Sequence, residues 1–467
     1  MEITMADSQK GKIDMTTGHI MKNIILFAIP IIIGNVLQQL YTTVDALVIG
    51  KYCGDTSLAA VGTSSQPVEV LLCVFLGIGT GVSILISQYT GARESGKVVS
   101  VCGTSITLIY IVGIPIGILG WFAAPYILEF MKVPQDVWGA ALIYTRVVFL
   151  GTLGNLGYNM NAGILRGLGD SKASLWFLVV SCVSNIVFDL LFVAGFGMDV
   201  AGAALSTSIA MFISWIVSIV YIRKKFPEIQ FTYLPRRFSG TMMKAILAIG
   251  LPVGLNNSLY SLGHVALQTF NNSQGAIFMA GGAVAGRITG CANIAITGLS
   301  SAATTFSGQN YGAKKYSRIK EGHWRVPLCS GLITLSFGLL FIMIHKPIIR
   351  FFSSDEMVLM YASRHVVVML LSQWFYAIFN CIISIVNGTG KVRYTTIVNI
   401  LMLWAVRIPS AYIISRYFDG TWVMLCFPIS FSFGMFAMIG YYLFSPAWKE
   451  VMRMAGKKQN EGEKNLA

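Results

Sequence analysis

Charge is what this sequence has least of. Only 12% of its 467 residues are Asp, Glu, Lys or Arg, 55% are hydrophobic, and mean hydropathy is +0.68. A soluble domain carries about 25% charged residues, so a chain of this composition belongs in a membrane. Cysteine is sparse: eight residues, mostly in apolar segments and with no CxxC pair. That gives disulfide and metal-cluster readings little support and leaves the cysteines as small apolar fillers. Cys53 alone falls in an outer loop, without an evident partner there. Catalytic signatures are missing too: no GxSxG, no HExxH and no paired acidic metal motif occurs. GARESGK at 91–97 imitates a phosphate loop, but Val98 stands where Ser or Thr would hold Mg²⁺, and no βαβ unit precedes it. No catalytic residue is therefore assigned. A cleavable signal is not expected, because the first twenty-two residues are polar and the first apolar stretch is a full span.

What the chain has in abundance is apolar segments of membrane length. Hydropathy predicts an all-α integral membrane protein with about twelve spans, at 24–49, 57–86, 98–124, 136–161, 173–196, 200–222, 243–269, 276–304, 326–345, 357–386, 393–416 and 421–444. Basic residues outnumber acidic ones, 34 to 20, for a net charge of +14. With the N-terminus in the cytoplasm, 25 of the 34 fall on that side: Lys10, Lys12 and Lys22, the loops at Arg93, Arg166 and Lys391, the stretches Arg223–Lys244 and Lys314–Arg325, and the tail from Lys449. That is the positive-inside pattern, with both termini inside. The basic loops then orient the chain and attract anionic lipid, and nucleic acid is not an expected partner. Arg146, Arg287 and Arg407 fall inside spans, with no partner apparent from sequence.

Asn23 to Gly50 organises the rest. It spans a bilayer, yet it carries Pro30 and the polar series Asn35, Gln38, Thr42 and Asp45, stepping by three, four and three residues along one helical face. A carboxylate at membrane depth costs on the order of 2.5 to 3.5 kcal/mol on insertion scales. Two readings stand: an Asp near a helix end reaching the headgroups, or a carboxylate facing a watery interior where it binds and releases a cation.

The chain also repeats itself. Pro30 answers Pro252 at an offset of 222; SQYTGARESGK answers SGQNYGAKKYS, and RGLGDSK answers NGTGKVR, both at 221. An offset spanning six helices makes two parallel, pseudo-symmetric six-helix lobes. The expected organisation is a cytoplasmic tail at 1–22, lobes at 23–223 and 242–445, a cytoplasmic linker at 224–241 and a cytoplasmic tail at 446–467.

Pro30 through Asp45, QYTGAR at 88–93, LRGLGDSK at 165–172, Asn185 and Asp189, GAALST at 202–207 and the echoes QNYGAKK and NGTGK together carry a resemblance. Over about residues 15–450 the chain resembles the multidrug and toxic compound extrusion (MATE) family of twelve-helix secondary antiporters, in its bacterial form. The resemblance implies expulsion of amphipathic, often cationic organic compounds in exchange for Na⁺ or H⁺. It implies a cation site in the N-terminal lobe, with Asp45, Asn185, Asp189 and Thr207 matching the family's residues. Asn161 is the best match to a further Asn, with Asn159 close by, and Tyr144 matches a fourth-helix Tyr. The chemistry is coherent on its own terms. Asn185 and Asp189 share a helical face, and two carboxylates in a partly dry site repel each other until a proton or Na⁺ intervenes. No permanent metal or cofactor is expected, only transient Na⁺ at Asp45, Asp189 and Asn185. Helix packing is the competing reading for Asn185 and Thr207.

The second lobe lacks this acidic set: the position equivalent to Asp45 falls at Ala266 or Leu267. Its first span instead shows Asn257, Tyr260, His264, Gln268 and Asn271 at helical spacing. Gln38, Tyr41, Asn257, His264 and Gln268 are candidates to line a substrate cavity, with Met211, Met279 and Tyr376 adding soft surface; the competing readings are a hydrogen-bonded structural His264 and methionines that serve packing alone. The expected partners are small organic substrates and membrane lipid, the expected state a monomer in the plasma membrane. The main rival is a flippase for lipid-linked saccharides, which needs a strongly cationic cavity. An intramembrane enzyme is a weaker alternative.

Overall fold

The computed structural model describes residues 12–464 except 236, 353 and 354, and leaves undescribed the side chains of 55, 65–67, 71 and 456–464. The expected tails at 1–22 and 446–467 thus lie partly outside the described residues, as do Lys10, Arg236 and the side chains of Lys457, Lys458 and Lys464.

Among the described residues, twelve helices have the length and hydropathy to cross a membrane. They are α1 (Ile20–Tyr52), α2 (Thr56–Gly91), α3 (Ser95–Phe130), α4 (Gln135–Gly167), α5 (Ser171–Gly195), α6 (Asp199–Lys225), α7 (Gly240–Asn272), α8 (Ala276–Gly312), α9 (Tyr316–Phe352), α10 (Glu356–Gly388), α11 (Val392–Tyr417) and α12 (Gly420–Phe444). A thirteenth helix, α13 (Pro446–Lys464), follows. No strand occurs among the described residues. Helix is the only option for a lone segment in hydrocarbon, where every backbone polar group must be satisfied within the segment. Several helices outrun the expected spans, most clearly α9, expected at 326–345 and observed at Tyr316–Phe352. Hydropathy marks only the apolar part of a helix, while backbone hydrogen bonding continues into the polar flanks.

The repeat is written into the backbone as well as the sequence. Gly169 and Gly390 both take the left-handed conformation after a helix, at φ 92° and 83°. Arg93 and Lys314 do so at 59° and 57°, a conformation costly for residues with a Cβ. Gly167 lies against Ile86 and Ser83, and Gly388 against Thr304 and Ser307. A methyl would meet those neighbours at 2.7 Å in the first place and 2.5 Å in the second. Each glycine is therefore the condition for close helix approach. Both α5 and α11 contain a π-helical turn, at Leu190–Gly195 and Leu401–Arg407.

The chain packs as two compact units. Of the described residues, the first holds Ile29–Ser258 with residues 12–14; the second holds Met15–Ala28 and those from Leu259 onward. This division differs from the lobes expected at 23–223 and 242–445, and local contacts give the reason. The first half of α7 belongs with α2: Gly250 and Gly254 face Gly77 and Gly81, where backbone meets backbone. Two small-xxx-small pairs bring these helices together. The start of the chain is tied to the ends of α8 and α9. Met15 N–H donates to Gln309 Oε1 at 3.0 Å, Asn310 Nδ2 donates to the Met15 carbonyl at 2.9 Å, and Lys315 Nζ to that of Thr16 at 2.8 Å. Just before this, Lys12 Nζ lies 4.4 Å from the Phe226 ring in the first unit, and burial pushes its pKa below the ordinary lysine value.

Candidate functional site

In the first unit the structure gathers α1, α4, α5 and α6 around one acidic cluster. Asp45 and Asp189 are within side-chain hydrogen-bond reach of each other. Asp189 and Asn185 are both buried one turn apart on α5. Asn185 Nδ2 donates to Thr207 Oγ1 at 3.2 Å. Tyr144 stands in electrostatic range of Asp45, Tyr41 and Asp189, and Tyr41 hydrogen-bonds Gln38. Of the two readings open for Asp45, this placement favours the interior one.

The decisive feature is an imbalance of donors and acceptors. Asp45 Oδ1, both Asp189 carboxyl oxygens and Asn185 Oδ1 are enclosed without a donor. Ser206 lies beside Asp189, but its hydroxyl donates to the Gly202 carbonyl at 2.8 Å. Each unsatisfied buried acceptor costs about 1–3 kcal/mol, and more when charged. A proton shared between the carboxylates, or a Na⁺ ion among these oxygens, removes that cost. The π-helical turn begins directly after Asp189, a place where such turns are often functional.

One expected member of the cation site falls elsewhere. Asn161 is fully buried and donates to Ser218 Oγ at 2.8 Å. Ser218 is eleven residues beyond Thr207 on α6, about 16 Å along the axis at roughly 1.5 Å per residue. Asn161 therefore bonds α4 to α6 through its Nδ2, away from the level of Thr207, while its own Oδ1 is enclosed without a donor. Asn159 Nδ2 donates to Asn155 Oδ1 at 2.8 Å, one turn back on the same helix. Asn257 belongs to the first unit, whereas His264 and Gln268 belong to the second. Gln268 Nε2 donates to Asn272 Oδ1 at 3.0 Å on an exposed face. His264 is also exposed, its ring 4.8 Å from that of Tyr260.

The structure also supplies surroundings for the three intramembrane arginines. Arg146 donates from Nε to the Trp121 carbonyl at 3.4 Å and lies over that residue's ring. Arg287 is exposed, 6.0 Å from the Phe352 ring. Arg407 is fully buried in the second unit. Its Nε donates to Ser430 Oγ at 2.9 Å and its Nη1 to the Tyr260 hydroxyl at 3.2 Å. Sequence reasoning left Arg407 without a role. Its one legible signal was position: it lies 222 residues after Asn185, within the offsets of the repeat.

Twelve helices of membrane-spanning length in two repeated halves, with a polar cluster inside one of them, define a multi-pass membrane protein of the transporter class. The MatE family model matches residues 30–191 and again 252–413, and the chain belongs to that family of transporters. The two matched segments are themselves displaced by 222 residues. The chain is 28% identical over 447 residues to the probable multidrug resistance protein YoeA of Bacillus subtilis (strain 168), covering 92% of this chain and 95% of that protein. It is 26% identical to the probable multidrug resistance protein NorM of Thermotoga maritima, covering 88% and 90%. Among solved structures, an outward-facing multidrug resistance MATE family transporter of the MOP superfamily matches with a TM-score of 0.82 at 25% identity, covering 97% of this chain and 99% of that one. A MATE crystal structure in complex with MaD3S matches with a TM-score of 0.83 at 24% identity, covering 97% and 99%. Members of this family are transporters, so the protein is not an enzyme.

Proposed function

We propose that the protein is a secondary multidrug exporter that expels amphipathic, often cationic compounds by alternating access, in exchange for H⁺ or Na⁺ bound at Asp45 and Asp189. The observation that carries this reading is the set of four enclosed acceptor oxygens with no donor. In the outward-open state the carboxylates take a cation from outside. Its binding displaces the organic substrate and favours return to the inward state, because a ligand shifts a conformational equilibrium by its differential affinity for the two states. Inward movement of one positive charge gains about 2.3 kcal/mol per 100 mV of membrane potential. The names of the relatives, multidrug resistance proteins, support the substrate class. Asn185 and Thr207 complete the shell of a Na⁺ ion or orient the carboxylates for a proton, and Tyr144 closes the cluster on one side. No cofactor is required. The basic loops support a plasma-membrane orientation with both termini cytoplasmic and anionic lipid as neighbour.

Proteoliposomes with Na⁺ and pH gradients imposed separately test the proposal. Dye efflux should follow one gradient and collapse in Asp45→Asn. Native-rate efflux against a gradient by Asp45→Asn, at native expression, refutes it.

A further inference from the structure

The second unit buries a charge that its own fold does not neutralise. Arg407 has no exposed surface. The ion pairs among the described residues are Lys97 with Glu94, Lys225 with Asp170 and Arg325 with Glu321; none involves Arg407. Its polar partners are two neutral hydroxyls, and its Nη2 is enclosed with no acceptor. Three rings surround it, with centroids 5.5 Å away for Tyr260, 5.0 Å for Phe427 and 4.9 Å for Phe431. Cation–π contacts of this kind offset part of the desolvation cost, but rings accept no N–H bond in the guanidinium plane. A guanidinium presents a planar fork of five donors. Here one side of the fork meets Ser430, another a hydroxyl at the long distance of 3.2 Å, and a third meets nothing.

The group that completes such a fork is a carboxylate, which accepts two parallel N–H bonds. We propose that Arg407 is an anion-recognition site for the carboxylate of a transported amphipathic compound. Tyr260 is its gate: the Tyr260 hydroxyl occupies the acceptor position in the described conformation, bonded on its other side to Tyr376. Tyr260 is half-buried and stacks edge-on against the exposed His264, so this side of the cage is the one that faces outward from the packed interior. Rotation of Tyr260 opens Arg407 to a carboxylate, while Ser430 keeps the guanidinium oriented. The repeat gives independent support. Asn185 donates to Thr207 in the first unit, and Arg407, 222 residues on, donates to Ser430 in the second. The corresponding helix pair thus carries a polar bond in both units, with Ser430 one residue beyond the exact counterpart of Thr207 and a cation in place of an amide in the second.

The inference rests on the efflux reading for the origin of its ligand, but its test needs no transport. Equilibrium binding of a fluorescent amphiphilic carboxylic acid and of its methyl ester is measured on the purified full chain in nanodiscs, without an ion gradient. The acid should bind at least tenfold more tightly than the ester. Arg407→Gln should bring the ratio of the two dissociation constants to within twofold of one, and Arg407→Lys, a charge without the fork, should give an intermediate ratio. Tyr260→Phe, which removes the competing hydroxyl, should raise the ratio further and serves as the second test if Arg407→Gln does not fold. A ratio near one in the native protein, or one unchanged in a folded Arg407→Gln, overturns the proposal. So does displacement of the acid by millimolar chloride, or by a lipid-linked pyrophosphate more effectively than by simple carboxylates. Efflux of a purely cationic dye is unaffected by these outcomes, so failure here and failure of the ion-coupling reading are separable.

Discussion

Helices α5 and α11 hold corresponding places in the two halves of the repeat and carry opposite chemistry. In α5, Asp189 and Asn185 present enclosed oxygens with nothing to accept from; in α11, Arg407 presents an enclosed N–H with nothing to donate to. Both helices widen into a π-helical turn beside the residue concerned, after Asp189 and up to Arg407. Duplication preserved the scaffold, seen in the paired glycines and the paired left-handed residues, while the polar side chains diverged in sign. Offsets of 221 and 222 from Asp189 reach Ser410 and Ala411, and those from Asp45 reach Ala266 and Leu267. The second unit therefore has no carboxylate pair with which to copy the first. In the proposed scheme the difference separates coupling from selection: the first unit takes the cation, the second the anion.

The comparison breaks most visibly if the acidic pair is neutralised. The double variant Asp45→Asn, Asp189→Asn should lower ion-driven efflux at least 100-fold, while its melting temperature equals or exceeds the native one, because two mutually repelling buried carboxylates are removed. Reduced stability together with native efflux would mean the pair is structural. Next in size is the shell. Asn185→Leu removes one enclosed oxygen and the bond to Thr207, and should raise the ion concentration for half-maximal efflux about tenfold, equivalent to about 1.4 kcal/mol. Thr207→Val should raise it about threefold.

The shared scaffold is tested by matched substitutions, Gly167→Ala and Gly388→Ala. Each forces a methyl into backbone or side-chain atoms, and overpacking of this kind costs about 1–3 kcal/mol. Equal drops in melting temperature would confirm that the two contacts are equivalent; a large drop at one alone would show that the halves have diverged in packing too. The smallest effect on ion dependence belongs to Asn161→Ala. It should cost about 1 kcal/mol of stability through loss of the bond to Ser218, with the ion dependence of efflux unchanged. A shifted ion dependence would return Asn161 to the cation site.

Much of this was legible without coordinates. Mean hydropathy, the span lengths and the offset near 221 dictate a duplicated twelve-helix membrane protein, because hydrocarbon permits a lone segment no backbone arrangement but a helix. The polar face ending in Asp45, and the one-turn spacing of Asn185 and Asp189, are properties of a single helix and can be read from its period. Tertiary structure decided what crosses from one helix to another. Asn161 and Asn159 differ by two residues and share the same chemistry, so only packing reveals that the first meets Ser218 and the second Asn155. Likewise, no property of Arg407 as a letter in a span foretells that it is sealed among Tyr260, Phe427 and Phe431 with one nitrogen unmet. Periodicity assigns a side chain to a face of its own helix. The partner across that face depends on how closely the glycines let neighbouring helices approach and at what height they cross, which is settled only when all the helices pack together.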